Sequence, residues 1–241
     1  MTRRFHPCLW AGLPVVWLLL AAPLPASAAI VFDDHFDGNS GGMPAGWSLI
    51  EGPGTVVESG TTVTLDHDVM ISSNATIDPN SGTVTVTWDI AAVSPSIYSL
   101  ALLLANASLS SAMAIGLEPS DEGFGVTVGA FNGGDWQEGG WGQPLPGYAG
   151  GPVRLILVLG ATSFSVACED PPVSSGWIEY ATAFPDFTRA DLGTACNLVL
   201  ANDAPNDVPA PASIDRITVE VVGATPVESM TFGMIKALFR R

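Results

Sequence analysis

The sequence predicts an all-β protein, a two-sheet antiparallel jelly-roll sandwich, and three observations carry this prediction. Many short segments alternate apolar and polar residues, which is the period of a half-buried strand. The 26 glycines and 19 prolines interrupt the chain and mark turns between those segments. No segment of ten or more residues in the body of the chain keeps the 3.6-residue period of an amphipathic helix. Ten or more short strands joined by turns are typical of a sandwich or barrel.

A predicted β-hairpin at residues 152–168 is the clearest element. An apolar run interrupted only by Arg154 is followed by a Gly-Ala-Thr connection and then by an alternating segment. In that segment Phe164, Val166 and Cys168 share one face. A hairpin cannot bury its apolar face alone, so it must belong to a larger sheet that packs on a second layer.

The other strands follow from the same alternation. In residues 83–90, Val84, Val86 and Trp88 alternate with threonines, which indicates a half-buried strand. Residues 132–151 are rich in glycine and tryptophan and are predicted to form a long loop. The remaining predicted strands are 30–38, 54–58, 61–66, 69–72, 98–105, 112–117, 123–131, 196–201 and 213–222.

The first 28 residues have the pattern of a cleaved secretory signal peptide. Arg3 and Arg4 precede an apolar stretch, and an Ala-Ser-Ala sequence ending at Ala28 supplies the small residues of a cleavage site. The prediction is therefore a secreted protein, extracellular or at the cell surface, with no transmembrane span after cleavage. The sandwich is expected over residues 29–223.

The charge is strongly unbalanced after the predicted signal peptide. All 24 acidic residues lie there, against six basic ones: Arg154, Arg189, Arg216, Lys236, Arg240 and Arg241. Such a surface repels phosphate backbones, which argues against nucleic acid as a partner. It is compatible with calcium binding, and equally with a surface that simply resists aggregation.

Two cysteines, Cys168 and Cys196, remain after the predicted cleavage. An even number in an oxidising compartment predicts one disulfide between them. The alternative is two buried free thiols, since cysteine is often a core residue.

Four segments resemble bacterial members of the concanavalin A-like (laminin-G-like) lectin/glucanase superfamily. They are the opening Phe-Asp-Asp-His-Phe-Asp-Gly with Trp47 soon after, the Thr-Val-Thr-Val-Thr-Trp strand, the hairpin at 152–168, and the closing Ser-Ile-Asp-Arg-Ile-Thr-Val strand. The resemblance implies a two-sheet sandwich and a carbohydrate-binding or structural role on a secreted protein.

The same superfamily contains glycoside hydrolases, which use pairs of carboxylates. The Glu-x-Asp-x-x-Glu motif of the glucanase members is absent from the sequence. The nearest acidic cluster, around Glu118 and Asp121, has a different spacing and is predicted to be an acidic turn. No other catalytic motif is present. The protein is therefore expected not to be an enzyme; a hydrolase whose acids come from separate strands is the alternative.

The predicted long loop offers the best candidate ligand site. Its aromatic rings can stack on the C–H faces of sugars, and its acids can accept hydrogen bonds from hydroxyls. The alternative is that the tryptophans fold inward and plug the loop. The candidate carbohydrate-binding residues are Asp135, Trp136, Glu138, Trp141 and Tyr148.

Related sandwiches often hold a structural calcium ion between the first and last strands. The resemblance therefore implies a calcium site at Asp34, Asp37 and Asp215. Exposed charges that discourage edge-to-edge aggregation are the alternative.

Residues 224–241 form a short C-terminal tail with helix-like chemistry. Phe232, Ile235 and Leu238 fall at helical spacing, and basic residues close the segment. It is similar to terminal sorting or processing tags of secreted bacterial proteins. The sequence thus predicts a secreted module that binds extracellular polysaccharide or cell-surface components. A surface protein held by its tail, without a small ligand, remains a further alternative.

Overall fold

The computed structural model describes residues 28–121, 123–133 and 136–223, with only the backbone for 138–140. The predicted signal peptide and C-terminal tail lie outside these residues. The described chain folds as two antiparallel sheets packed face to face, which confirms the predicted all-β sandwich. No helix among the described residues is long and apolar enough to cross a membrane.

One sheet has nine strands in the order β13-β12-β11-β6-β16-β4-β3, with β1 paired to β16 and β14 to β12. Its strands are β1 (Ala28–Asp34), β3 (Thr55–Ser59), β4 (Thr62–Asp66), β6 (Thr83–Val93), β11 (Val153–Leu159), β12 (Ser163–Cys168), β13 (Val173–Ser174), β14 (Ile178–Glu179) and β16 (Ala212–Val222). The tight β3–β4 hairpin contains Gly60 at a positive φ of 68°, which its missing side chain allows.

The other sheet has seven strands in the order β10-β9-β8-β7-β15-β5-β2. Its strands are β2 (Trp47–Glu51), β5 (Val69–Ser73), β7 (Ser99–Asn106), β8 (Ser111–Ser120), β9 (Gly123–Asn132), β10 (Gln137–Pro146) and β15 (Cys196–Asp203). A single helical turn, α1 (Tyr180–Ala183), and a 3₁₀ turn (Arg189–Leu192) precede β15.

The chain crosses between the two sheets eight times, and three of these crossings produce matching strand orders in the two sheets. β4 leads into β5, β6 into β7 and β15 into β16, each time from one sheet to the other. As a result, the strand order β4-β16-β6 in one sheet matches the order β5-β15-β7 in the other, and each strand is joined to the strand at the same place in the other order. Alternate side chains of both sheets meet in one core, with the fully buried Trp88 of β6 among its largest members.

The strands agree closely with the alternation in the sequence, including the hairpin, which is β11 and β12. Four strands differ. β2, β13 and β14 had no predicted counterpart, and residues 137–146 form edge strand β10, where a long loop was predicted. Glycines and prolines obscure its alternation, and Gly139 and Gly140 fall where its register shifts against β9.

The predicted disulfide is wrong. Cys168 ends β12 in the nine-stranded sheet and Cys196 begins β15 in the seven-stranded sheet, and both are free and buried. The Sγ of Cys196 instead lies 3.1 Å from the carbonyl oxygen of Leu192. Burial raises the pKa of the Cys196 thiol to about 12, so this side chain behaves as a core residue.

Candidate functional site

The outer face of the seven-stranded sheet carries a continuous row of residues across all of its strands. Cross-strand partners lie on the same face of a sheet, so the row follows directly from the register. Ile115 and Leu117 of β8 belong to the core, hence Gly116 between them faces outward. From β10 to β2 the row reads Gly142, Thr127, Gly116, Ala101, Ala201, Met70 and Glu51.

Residues of this row line three depressions on this face of the sheet. Seven strands spaced by about 4.8 Å give the row a length of about 29 Å. Its three central positions, Gly116, Ala101 and Ala201, have small side chains or none. We call the part of this surface between Ser99 and Trp136 the cross-strand groove. It comprises two adjoining depressions of about 160 and 210 Å³.

Glu118 and Thr127 supply the polar groups of the cross-strand groove. Both side chains are half-buried, and both residues line the two depressions. The hydroxyl of Thr127 donates a hydrogen bond to Oε1 of Glu118 over 3.1 Å. This contact fixes the carboxylate, and within the described part of the chain its second oxygen stays available to accept further hydrogen bonds.

Trp136 covers one end of the groove and rests on Gly129. A Cβ atom added to Gly129 would lie only 2.0 Å from Cζ2 of the indole, so the ring occupies the place of a side chain. The indole also packs against Phe131 with ring centroids 6.0 Å apart. Trp136 nevertheless remains 42% exposed, which leaves ring surface free for a ligand.

The other predicted binding residues take different positions. Trp141 is partly buried against the core, opposite Val128, and it also lines the 210 Å³ depression together with Trp136. Tyr148 is a correction, because it is a buried core residue whose hydroxyl donates to the carbonyl of Gly151 over 2.6 Å.

The two predicted acids of this segment cannot be placed as ligands. Asp135 lies outside the described residues. For Glu138 only the backbone position is described, on β10 opposite Gly129.

Glu118 is the functional candidate that sequence reasoning missed. It was predicted to be part of an acidic turn, but β8 continues through Ser120 and keeps Glu118 within the sheet. The signal was the alternation of Ala112, Ala114, Gly116 and Glu118, four positions on one face of β8. An exposed strand face is usually indicated by polar side chains. Alanine and glycine are not polar, so this alternation does not predict a strand with an exposed face.

A third depression, of about 370 Å³, lies at the opposite end of the row. Met70 and Ala201 of the row line it, together with the acids Glu51, Asp68 and Asp203. Burial, followed by the negative charge of Asp68, raises the pKa of Asp203. The row therefore ends in a negatively charged surface.

The outer face of the nine-stranded sheet carries a different arrangement, a ladder of alternating charges. Arg154, Asp89 and Arg216 are cross-strand partners on β11, β6 and β16. Arg154 donates to both oxygens of Asp89, and Arg216 donates to both oxygens of Asp33 over 2.8 and 2.9 Å. The hydrogen bond from Arg216 lowers the pKa of Asp33, and the bond to Asp89 raises the pKa of Arg154. In these pairs each charge has an oppositely charged partner, and the hydrogen bonds link neighbouring strands on this face of the sheet.

The predicted calcium ligands are divided between two environments. The carboxylate of Asp34 accepts hydrogen bonds from the indole of Trp47 over 2.8 Å and from the backbone of Phe36 over 2.9 Å. Asp37 and Asp215 line a wide depression of about 800 Å³ together with Asp89, Arg154 and Arg216 of the charge ladder. Within the described part of the chain, no three His, Cys, Asp or Glu side chains form a group that could hold a metal ion. The calcium site stays a prediction.

Comparison with known proteins shows likeness at the level of the fold. No family model and no curated protein matches the chain. Among solved structures, the chain is similar to a glycosyl hydrolase family 16 protein of Mycobacterium smegmatis, with 17% identity and a TM-score of 0.54 over 79% of this chain and 100% of that one. It is also similar to a pseudo β-1,3-glucanase of Mycobacterium tuberculosis, with 16% identity and a TM-score of 0.55 over 80% and 98%.

A third similar structure is the CBM2 module of the evolved Dit protein of Lactobacillus casei BL23 phage J-1. Its identity is 10% and its TM-score 0.58, over 83% of this chain and 98% of that module. At such identities the likeness concerns the sandwich alone. It is consistent with the predicted concanavalin A-like architecture, and any function must be argued from the residues of this chain.

Proposed function

We propose that this protein is a secreted, non-catalytic module of the concanavalin A-like type that binds polysaccharide in its cross-strand groove. The observation that carries the proposal is the exposed indole of Trp136, held on Gly129 beside the fixed carboxylate of Glu118. An aromatic surface next to a small number of positioned polar groups is the usual composition of a carbohydrate site.

The shape of the sheet surface supports a chain-like ligand. Gly116, Ala101 and Ala201 continue the row from the groove towards β15, so a linear polymer meets only small side chains at these three central positions. When one sugar of the polysaccharide stacks on Trp136, the adjacent sugars of the same polymer lie over Thr127 and Gly116. The hydroxyl of Thr127 and the free oxygen of Glu118 then meet the sugar hydroxyls.

The carboxylate arrangement supports binding over hydrolysis. A retaining glycosidase needs two carboxyl groups about 5–5.5 Å apart, and an inverting enzyme needs a pair about 6.5–9.5 Å apart. Among the described residues that line the two depressions, Glu118 is the single carboxylate. A carboxylate that accepts a hydrogen bond from Thr127 is suited to holding a sugar hydroxyl, and none of the other described lining residues supplies a second carboxylate.

Affinity electrophoresis of the purified protein through gels that contain different neutral polysaccharides tests the proposal. We expect one polymer to retard the protein, and Trp136→Ala to abolish that retardation. Trp177→Ala is the matched control, because Trp177 is 61% exposed and follows β13 on the other sheet. Folded protein that migrates freely in every gel would contradict carbohydrate binding. Release of soluble sugar from the retarding polymer would favour the hydrolase alternative.

A further inference from the structure

Among the residues that the structure describes, the charge of Glu118 has no cationic partner in the cross-strand groove. Its neighbours among the described lining residues are small or uncharged, and its one side-chain partner is the neutral hydroxyl of Thr127. A half-buried carboxylate without a counter-charge exerts its full repulsion on any negative group placed beside it.

The basic residues of the described chain are all engaged elsewhere. They are three arginines, of which Arg154 and Arg216 pair with carboxylates on the outer face of the nine-stranded sheet. Arg189 is buried and donates to the backbone carbonyl of Gly82. None of them lines the groove, so none can pair there with a uronate or sulfate group of a ligand.

The negative charge extends along the path of the ligand. Glu51, Asp68 and Asp203 surround the far end of the row, beyond the small central residues. A polymer that follows the whole row therefore passes carboxylates on both sides of its middle. An acidic polymer loses free energy at each of them, whereas an uncharged polymer can use the same oxygens as hydrogen-bond acceptors.

We infer that the groove takes an uncharged polysaccharide and rejects acidic ones, with Glu118 as the specificity-determining residue. This inference rests on the proposed function, and names the class of glycan that the same site accepts. Rejection is electrostatic, so it depends on ionic strength as well as on the groove itself.

Two forms of one polymer test the inference: the neutral polysaccharide that retards the protein, and the same polysaccharide after partial carboxymethylation. Isothermal titration calorimetry on the full chain gives both dissociation constants at low salt and at about 1 M salt, where the screening length falls to about 3 Å. We expect the carboxymethylated form to bind at least about fivefold more weakly at low salt, the factor for two unit charges about 4 Å apart in water. The difference should largely disappear at high salt.

Two variants localise the effect. Glu118→Gln keeps the shape of the side chain and should reduce the low-salt discrimination by about fivefold. Glu220→Gln makes the same change of net charge on β16 in the other sheet and should leave the discrimination as it is. Equal effects of the two variants would overturn the role of Glu118.

The remaining outcomes separate this inference from the proposed function. If the neutral polymer binds and the carboxymethylated polymer binds equally well at low salt, the charge selectivity is wrong and the binding function stands. If discrimination persists unchanged at high salt and in Glu118→Gln, it is steric, and the inference is also wrong. If the neutral polymer does not bind at all, the proposed function fails and the inference fails with it.

Discussion

Replacing Gly129 with alanine should weaken polysaccharide binding while leaving the sandwich intact. The added Cβ would lie 2.0 Å from Cζ2 and 2.3 Å from Cε2 of Trp136. Non-bonded carbon atoms prefer a separation of about 3.5–4.0 Å, so the indole must move outward by about 1.5 Å or more. Such a shift removes the ring from the position in which it forms one end of the groove.

The effects on binding and on stability differ in size. Loss of an aromatic stacking contact and its apolar area should cost about 1–2 kcal/mol of binding free energy, or a fivefold to 30-fold weaker affinity. Alanine stabilises a strand by about 0.5–1 kcal/mol relative to glycine, and the loss of contact between Trp136 and Phe131 offsets this gain. The free energy of unfolding should therefore change by less than about 1 kcal/mol.

Urea unfolding and titration calorimetry measure the two quantities separately. Gly42→Ala is the control, because a Cβ at Gly42 meets no atom within 4 Å and the residue is remote in sequence from β8, β9 and β10. If Gly129→Ala keeps the fold and binds the polysaccharide with undiminished affinity, the packing of Trp136 against Gly129 does not create the binding surface. A large loss of stability would show that Trp136 serves the fold.

Three further predictions concern the body of the sandwich. Tyr148→Phe removes a buried hydrogen bond to a backbone carbonyl and should lower the free energy of unfolding by about 1–2 kcal/mol, measured in urea, with polysaccharide affinity unchanged. Asp33→Asn should lower stability at neutral pH by up to about 1 kcal/mol, since the pair with Arg216 is partly exposed. The folded state lowers the pKa of Asp33, so this contribution is present above the ordinary aspartate pKa and is lost as the pH falls through the lowered pKa. The stabilities of the wild type and the variant should therefore converge in acid. A difference in stability that stays constant with pH would contradict the pairing. Cys168 and Cys196 should both react with a thiol reagent after unfolding without reductant, and two unreactive cysteines would reinstate the disulfide.

The fold could be predicted from the sequence because each strand is indicated by the residues within its own segment. Alternation within segments such as 83–90 defines a strand and its buried face, and glycine or proline marks the ends. β10 escaped prediction because Gly139, Gly140 and Pro144 weaken the alternation that its neighbours display. Pairing with β9 determines its structure, and that pairing is a tertiary interaction.

The candidate site could be predicted only in part, because it is assembled by register between strands. Trp136 was identified by its chemistry. Glu118 and Thr127 lie on different strands, and their hydrogen bond follows from the pairing of β8 with β9. The separation of Cys168 from Cys196 likewise depends on which sheet each strand joins, which spacing along the chain does not reveal.

The small residues in the row support the proposal that the seven-stranded sheet has a ligand-binding face. Strand formation alone favours β-branched side chains on a half-exposed face, as in the outward-facing Thr83, Thr85 and Thr87 of β6 in the other sheet. Glycine in the interior of a strand costs about 0.5–1 kcal/mol relative to alanine, and alanine is itself a weak strand former. Gly116 and Ala101 therefore oppose the local preference for β-structure at the centre of the row. What they provide is space beside Glu118 and Trp136, and a ligand that lies across the strands accounts for that space.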